Sequence, residues 1–164
     1  MKRRLLIALF AAVFFVGIIM VLNRTPNVEI GDVIFNCENK QTTVDGYDIQ
    51  RYVKGKTTAY NEDLDVVSLY GKMPAFEQKV VKNDGTDAIT MNTTMAVGFT
   101  GRFVDDVVYT IYDFKGNILE SDASTLNLPT KDIEGCIVKV DVKWGRTENY
   151  LERYYFMRID YIKE

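Results

Sequence analysis

Hydrophobic and polar positions are distributed along this chain in two distinct ways. From Leu5 to Leu22 every residue is apolar or glycine, an 18-residue run with no polar stripe at helical spacing. At about 1.5 Å per residue a helix over that run is roughly 27 Å long, close to the thickness of a bilayer's hydrocarbon layer. A buried helix of a soluble protein would show a polar face at a period of 3.6. The pattern therefore predicts a transmembrane helix over residues 5–22.

Beyond residue 27 no long helical period appears. Short segments rich in β-branched and aromatic residues recur between turn clusters, the pattern of strands. In the clearest, Ile137–Trp144, the residues Val138, Val140, Val142 and Trp144 alternate with Lys139, Asp141 and Lys143. Such a period of two predicts a strand with one face in a core and the other in water. A turn over Gly145–Asn149 leads into a second long strand, Tyr150–Tyr161. Its apolar residues fall on both parities, so either both faces are covered or a bulge shifts the register. Val107–Asp113 predicts a strand with Val107, Tyr109 and Ile111 on one face, followed by a tight turn at Phe114–Asn117 into Ile118 and Leu119. Asp87–Phe99 predicts one long strand. Glu29–Phe35, Asp48–Val53, Asp65–Tyr70 and Glu77–Lys82 predict four shorter ones, with a turn at Asn83–Gly85. Seven to nine strands without α/β alternation predict an all-β fold, an antiparallel β-sandwich. Its expected core includes Trp144, Val138, Val140, Val142, Tyr109 and Ile111.

Charge divides the chain at the same place. Lys2, Arg3 and Arg4 precede the apolar run. The run ends at Met20–Val21–Leu22 without the small residues of a signal-peptidase site, which favours a retained anchor over a cleaved signal. The basic cluster predicts a cytoplasmic N-terminus and an extracytoplasmic C-terminal portion. The expected organisation is a basic cluster at 1–4, a signal-anchor helix at 5–22, a linker at 23–27 and one outer domain at 28–164. Four of the 20 basic residues and none of the 23 acidic ones precede residue 25, so the remainder carries a net charge of −7. Broad electrostatic gripping of nucleic acid is disfavoured by that balance.

The segment Leu128-Pro129, Gly135-Cys136-Ile137-Val138-Lys139-Val140-Asp141-Val142-Lys143-Trp144 and Tyr154-Tyr155-Phe156-Met157-Arg158-Ile159 resembles the last strands of extracytoplasmic immunoglobulin-like domains of bacteria. A short strand ends at a proline, a glycine opens a valine-rich strand ending in tryptophan, and a Tyr-x-Phe strand finishes the domain. Tyr109–Asp113, Gly116 and Leu119 are similar to the middle strands. The likeness covers about residues 105–161 and extends to small single-pass proteins on the outside of Gram-positive bacteria. It implies an immunoglobulin-like sandwich and no catalytic residues.

The composition narrows the chemistry further. With no histidine in 164 residues, Ser-His, Cys-His and His-metal chemistry are excluded. Walker and dinucleotide-binding glycine patterns are absent, and no cofactor or metal site is expected. Cys37 and Cys136 lie 99 positions apart in the outer portion, either as a disulfide or as two buried thiols. Asp63, Asp65, Asp105, Asp106 and Asp113 are candidates for a carboxylate pair or calcium loop against the blander reading of solvated loops. Asn92-Thr93-Thr94 matches a glycosylation acceptor. Tyr47, Tyr52, Tyr60 and Tyr70 are candidates for a partner surface, since tyrosine brings large area at small entropic cost. Together these features predict a non-enzymatic anchored domain contacting a protein or the cell wall. The alternatives are a secreted inhibitor-type sandwich and a carboxylate-dependent hydrolase.

Overall fold

The computed structural model describes residues 13–15, 18, 27–37, 40–61, 64–82, 89–91, 95–101, 103–129 and 132–163. Strands dominate, and the fold is all-β. Eleven strands are described: β1 (Val33–Cys37), β2 (Lys40–Val44), β3 (Tyr47–Val53), β4 (Lys56–Ala59), β5 (Ala75–Lys82), β6 (Ile89–Met91), β7 (Met95–Phe99), β8 (Val104–Tyr112), β9 (Ile118–Ala123), β10 (Gly135–Arg146) and β11 (Asn149–Lys163).

They form two sheets. A small antiparallel sheet has the order β2-β1-β7, and a large one runs β4-β3-β11-β10-β8-β9. Strand β5 also joins the large sheet, beside β11, and β6 pairs with β5. The 15-residue β11 has two neighbours in series along one edge. Residues Asn149–Tyr154 pair with β3, and Arg158–Lys163 pair with β5 in parallel. That parallel pairing departs from the wholly antiparallel arrangement expected from the sequence.

The core lies between the sheets. Val33 and Phe35 of the small sheet pack with Val138, Val140, Val142 and Trp144 of β10, all with zero exposure. Tyr109 and Ile111 of β8 belong to the same core. Lys139, Asp141 and Lys143 stand half-buried on the opposite face, as the alternation requires. At the Trp144 end, Gly31 admits the close approach of two segments. A Cβ there would lie 1.7 Å from the Thr100 carbonyl oxygen. Gly145 has φ +116° where the β10–β8 register shifts at Lys143/Trp144, a conformation that disfavours side chains.

The two parities of β11 have both explanations at once. A register shift against β3 falls between Glu152 and Arg153. The outer face is also covered at one end, where Phe156 and Ile137 pack under Val66 and Leu69. Those last two belong to α1 (Val66–Leu69), which continues into a 3-10 turn at Tyr70–Lys72. Helix here replaces the strand that the sequence predicts over Asp65–Tyr70. The Asp65 carboxylate instead caps the helix, accepting from Val67 N and Ser68 N at 3.2 Å, while Ser68 Oγ donates to the Asp65 carbonyl.

The expected Asp87–Phe99 strand is divided between the sheets, with β6 beside β5 in one and β7 beside β1 in the other. The apolar run 5–22 lies mostly outside the described residues. Of it, Val13, Phe14, Phe15 and Ile18 are helical and exposed. No helix among the described residues is long and apolar enough to cross a membrane. The basic cluster, the Asn83–Gly85 turn and the Asn92 acceptor also fall outside the described residues.

Candidate functional site

Among the described residues, α1 covers the outer face of the large sheet at one end. Towards the Trp144 end, strand register builds the rest of that face in rows. Asp106 of β8, Lys143 of β10, Glu152 of β11 and Gln50 of β3 stand opposite one another across four strands. The next row towards α1 is Val108, Asp141, Tyr154 and Tyr47. Beyond the first row, Tyr52 and Tyr150 stack at 5.3 Å between ring centroids, with the Lys143 ammonium 5.0 Å from the Tyr150 ring. Lys139 lies 4.1 Å from the Tyr154 ring centroid. These cross-strand neighbours order one another, as pairs on a sheet face do.

Asp141 lies at the centre of this face. It lines a recess of about 80 Å³ with Asp106, Val108, Lys143 and Glu152. Burial pushes its carboxyl up to about 7, and the neighbouring Glu152 carboxylate adds to the rise, against the pull of Lys139 and Lys143. Tyr154 is pushed up to about 12 by burial and by the carboxylates of Asp141 and Glu152. Glu152 is held by Gln50, whose Nε2 donates to Oε2. The arrangement can accept and donate hydrogen bonds on a pre-ordered surface and can bind or release a proton near neutrality.

Two larger concavities lie elsewhere among the described residues, each with a charged group engaged within the fold. A groove of about 690 Å³ between β2 and β5/β11 contains Arg158, which pairs with Asp160 at 3.0 Å. A recess of about 370 Å³ beside Gly135 contains Asp113. The Asp113 carboxylate accepts from Lys115 N, Asn117 N and Asn117 Nδ2, which hold it below the usual carboxylate range, the Asn117 side chain first.

The sequence candidates are scattered. Asp65 caps α1, Asp113 closes a turn, Asp105 is exposed on β8, and Asp63 lies outside the described residues. Only Asp106 of that group reaches the outer-face cluster. Tyr52 is on the same face, Tyr47 and Tyr70 pack edge-on against Phe156 and Phe114 beside α1, and Tyr60 is exposed. Cys37 and Cys136 are buried in the core as thiols that are not bridged to each other. Cys37 Sγ donates to the buried Gln78 Oε1 at 2.9 Å. Cys136 Sγ lies 3.4 Å from the Tyr161 hydroxyl, which itself donates to the Pro129 carbonyl. Burial pushes the Cys136 thiol up to about 11. Among the described residues no group of three or more His, Cys, Asp or Glu is placed to hold a metal ion.

Asp141 and Glu152 carried no signal in the sequence, because strand register rather than spacing brings them together. Comparison of the chain with protein-family models, curated proteins and solved structures finds no match.

Proposed function

We propose that this chain is a single-pass, membrane-anchored extracytoplasmic domain that acts by binding and not by catalysis. Residues 5–22 hold it in the bilayer with the N-terminus in the cytoplasm. An immunoglobulin-like sandwich then presents its outer sheet face to another protein of the cell envelope or to the wall. One observation carries the reading. Beyond α1, the described outer face of the large sheet displays stacked tyrosines and ordered charges around a shallow recess. Aromatic area with polar groups around it suits recognition. The anchor is supported by the apolar run and by Val13, Phe14 and Phe15, which are helical and 66%, 70% and 66% exposed. The immunoglobulin-like description is supported by two sheets packed around Trp144. Tethering raises the effective concentration of the face for partners at the same surface.

Alkaline extraction of cell membranes, with protease added to intact cells, tests the topology. The full chain should stay with the membrane, and everything beyond about residue 27 should be digested from outside. Release of an intact outer domain into the medium would favour the secreted-inhibitor reading.

The hydrolase reading has one observation in its favour, Asp141 raised to about 7 beside Glu152. Its recess of about 80 Å³ is small against the roughly 300–1,000 Å³ of ordinary ligand sites.

A further inference from the structure

We infer that the free edge of β4 is a docking surface for a second copy of this chain, the two β4 strands pairing antiparallel about a twofold axis at Thr58. The inference goes beyond the binding reading above and uses neither the membrane anchor nor a partner for the outer face.

Strand β4 ends the large sheet, and among the described residues it pairs with β3 alone. That pairing is unbroken from Lys56 to Ala59, and all four residues are exposed. The phase of the ladder fixes which backbone groups face outward. The β3–β4 hairpin closes through a two-residue turn, Lys54 and Gly55, with φ of +47° and +82°, as in a type I′ turn. Val53 and Lys56, which flank the turn, are therefore a hydrogen-bonded pair. At the far end Tyr60 N donates to the Ile49 carbonyl at 2.8 Å, in the same phase. Hydrogen-bonded pairs alternate along an antiparallel ladder, so Thr57 and Ala59 turn their N–H and C=O groups away from β3.

A second β4 meets those four groups when Thr57 stands opposite the second copy's Ala59. Thr58 then faces its own mate across the axis, a β-branched pair that suits a sheet. Lys56 faces the second copy's Tyr60, which is 48% exposed. The same Lys–Tyr contact already joins β10 to β11, at Lys139 with Tyr154 and at Lys143 with Tyr150. Lysine commonly guards a sheet edge against pairing, but this axis sets it against a ring.

Like charges stay apart. The two Lys56 residues are four positions apart along the strands, roughly 14 Å, and the Debye length at physiological salt is about 8 Å. Arg51, opposite Thr58 on β3, is three strand spacings from its mate, again roughly 14 Å. Lys54 in the turn lies farther from the axis, beside Glu148. Other described edges suit self-pairing less. Strand β9 has two register shifts and holds Asp122 at φ +54°. An axis at Thr42 of β2 would set exposed Lys40 against the core residue Val44.

A twofold axis through two antiparallel edge strands is perpendicular to the sheet. The outer faces of both copies therefore point the same way, and a partner of that face meets it twice.

The test uses the full chain in detergent micelles, with Thr58→Cys or Thr57→Cys, oxidised by copper phenanthroline. The native thiols are buried. In the pairing the two Thr58 Cα atoms are about 4.5 Å apart, within disulfide reach, whereas the two Thr57 Cα atoms are roughly 8 Å apart, outside it. Covalent dimer should form about tenfold faster from position 58 than from position 57. Ala59→Pro removes an outward N–H without touching the β3 ladder, and should bring position 58 down to the rate of position 57. A rate at position 58 no greater than at 57, or one unchanged by Ala59→Pro, would overturn the pairing. Either result leaves the outer-face reading standing on its own test, the partner adduct.

Discussion

Trp144 Nε1 donates a hydrogen bond to the Tyr155 hydroxyl at 2.7 Å, joining β10 to β11 inside the core. Trp144 has zero exposure and Tyr155 1%, so neither polar atom has solvent as an alternative partner. Tyr155→Phe keeps the ring but leaves the buried indole N–H without its acceptor, at a cost of about 1–3 kcal/mol. The measurement is urea unfolding of the full chain in detergent micelles, followed by the fluorescence of the single tryptophan. A stability equal to the parent's would mean that the bond contributes nothing net.

The charge state of Asp141 sets a pH dependence. Its carboxyl titrates near 7 in the fold and near 3.9 when unfolded, so the native state holds the extra proton between those values. A raised acid contributes stability that is complete below about pH 4 and is lost as pH rises to about 7. Allowing for solvent screening at this half-buried site, the loss is on the order of 1–2 kcal/mol. Asp141→Asn should flatten this part of the profile and make the protein more stable than the parent above pH 7. Unfolding midpoints across pH 4–8 for both proteins check it.

The two thiols give a direct chemical prediction. Native protein should react slowly with Ellman's reagent, because Cys37 and Cys136 are buried and Cys136 is held at about 11. Denatured, unreduced protein should release two equivalents. Zero equivalents before reduction would mean that the thiols are bridged.

The helix α1 rests on one carboxylate. Asp65→Ala removes the acceptor for Val67 N and Ser68 N, a loss of about 1 kcal/mol. Amide exchange should quicken in α1 and over its floor at Ile137 and Phe156, while the Val138–Trp144 core keeps its protection. Unchanged exchange in α1 would mean that its packing, not its cap, holds it.

How much was legible followed from what each signal depends on. Val138, Val140, Val142 and Trp144 were readable because strict alternation and zero exposure are one physical fact. Strand β4 is exposed at all four residues, Lys56–Ala59, and β2 is largely exposed from Lys40 to Thr43, so an alternation signal was missing at both. At Asp65 a local side-chain cap overrode the β-preference of Val66 and Val67. The division of 87–99 between two sheets and the parallel seat of β5 on β11 are tertiary choices, which periodicity does not encode. The outer-face cluster was hidden for the same reason. Asp106, Asp141 and Glu152 come from three strands, and only their register makes them neighbours.

On the proposed reading, the outer face of the large sheet beyond α1 binds a partner at the cell surface. The most direct measurement is in-cell photocrosslinking of the full chain, with the crosslinking residue at Lys143 on that face or at Glu120 on β9 as control. Position 143 should give one repeatable adduct that is lost in a Tyr52→Ala/Tyr150→Ala variant, and position 120 should give none. No adduct from position 143, with the protein folded and held in the membrane, would contradict it.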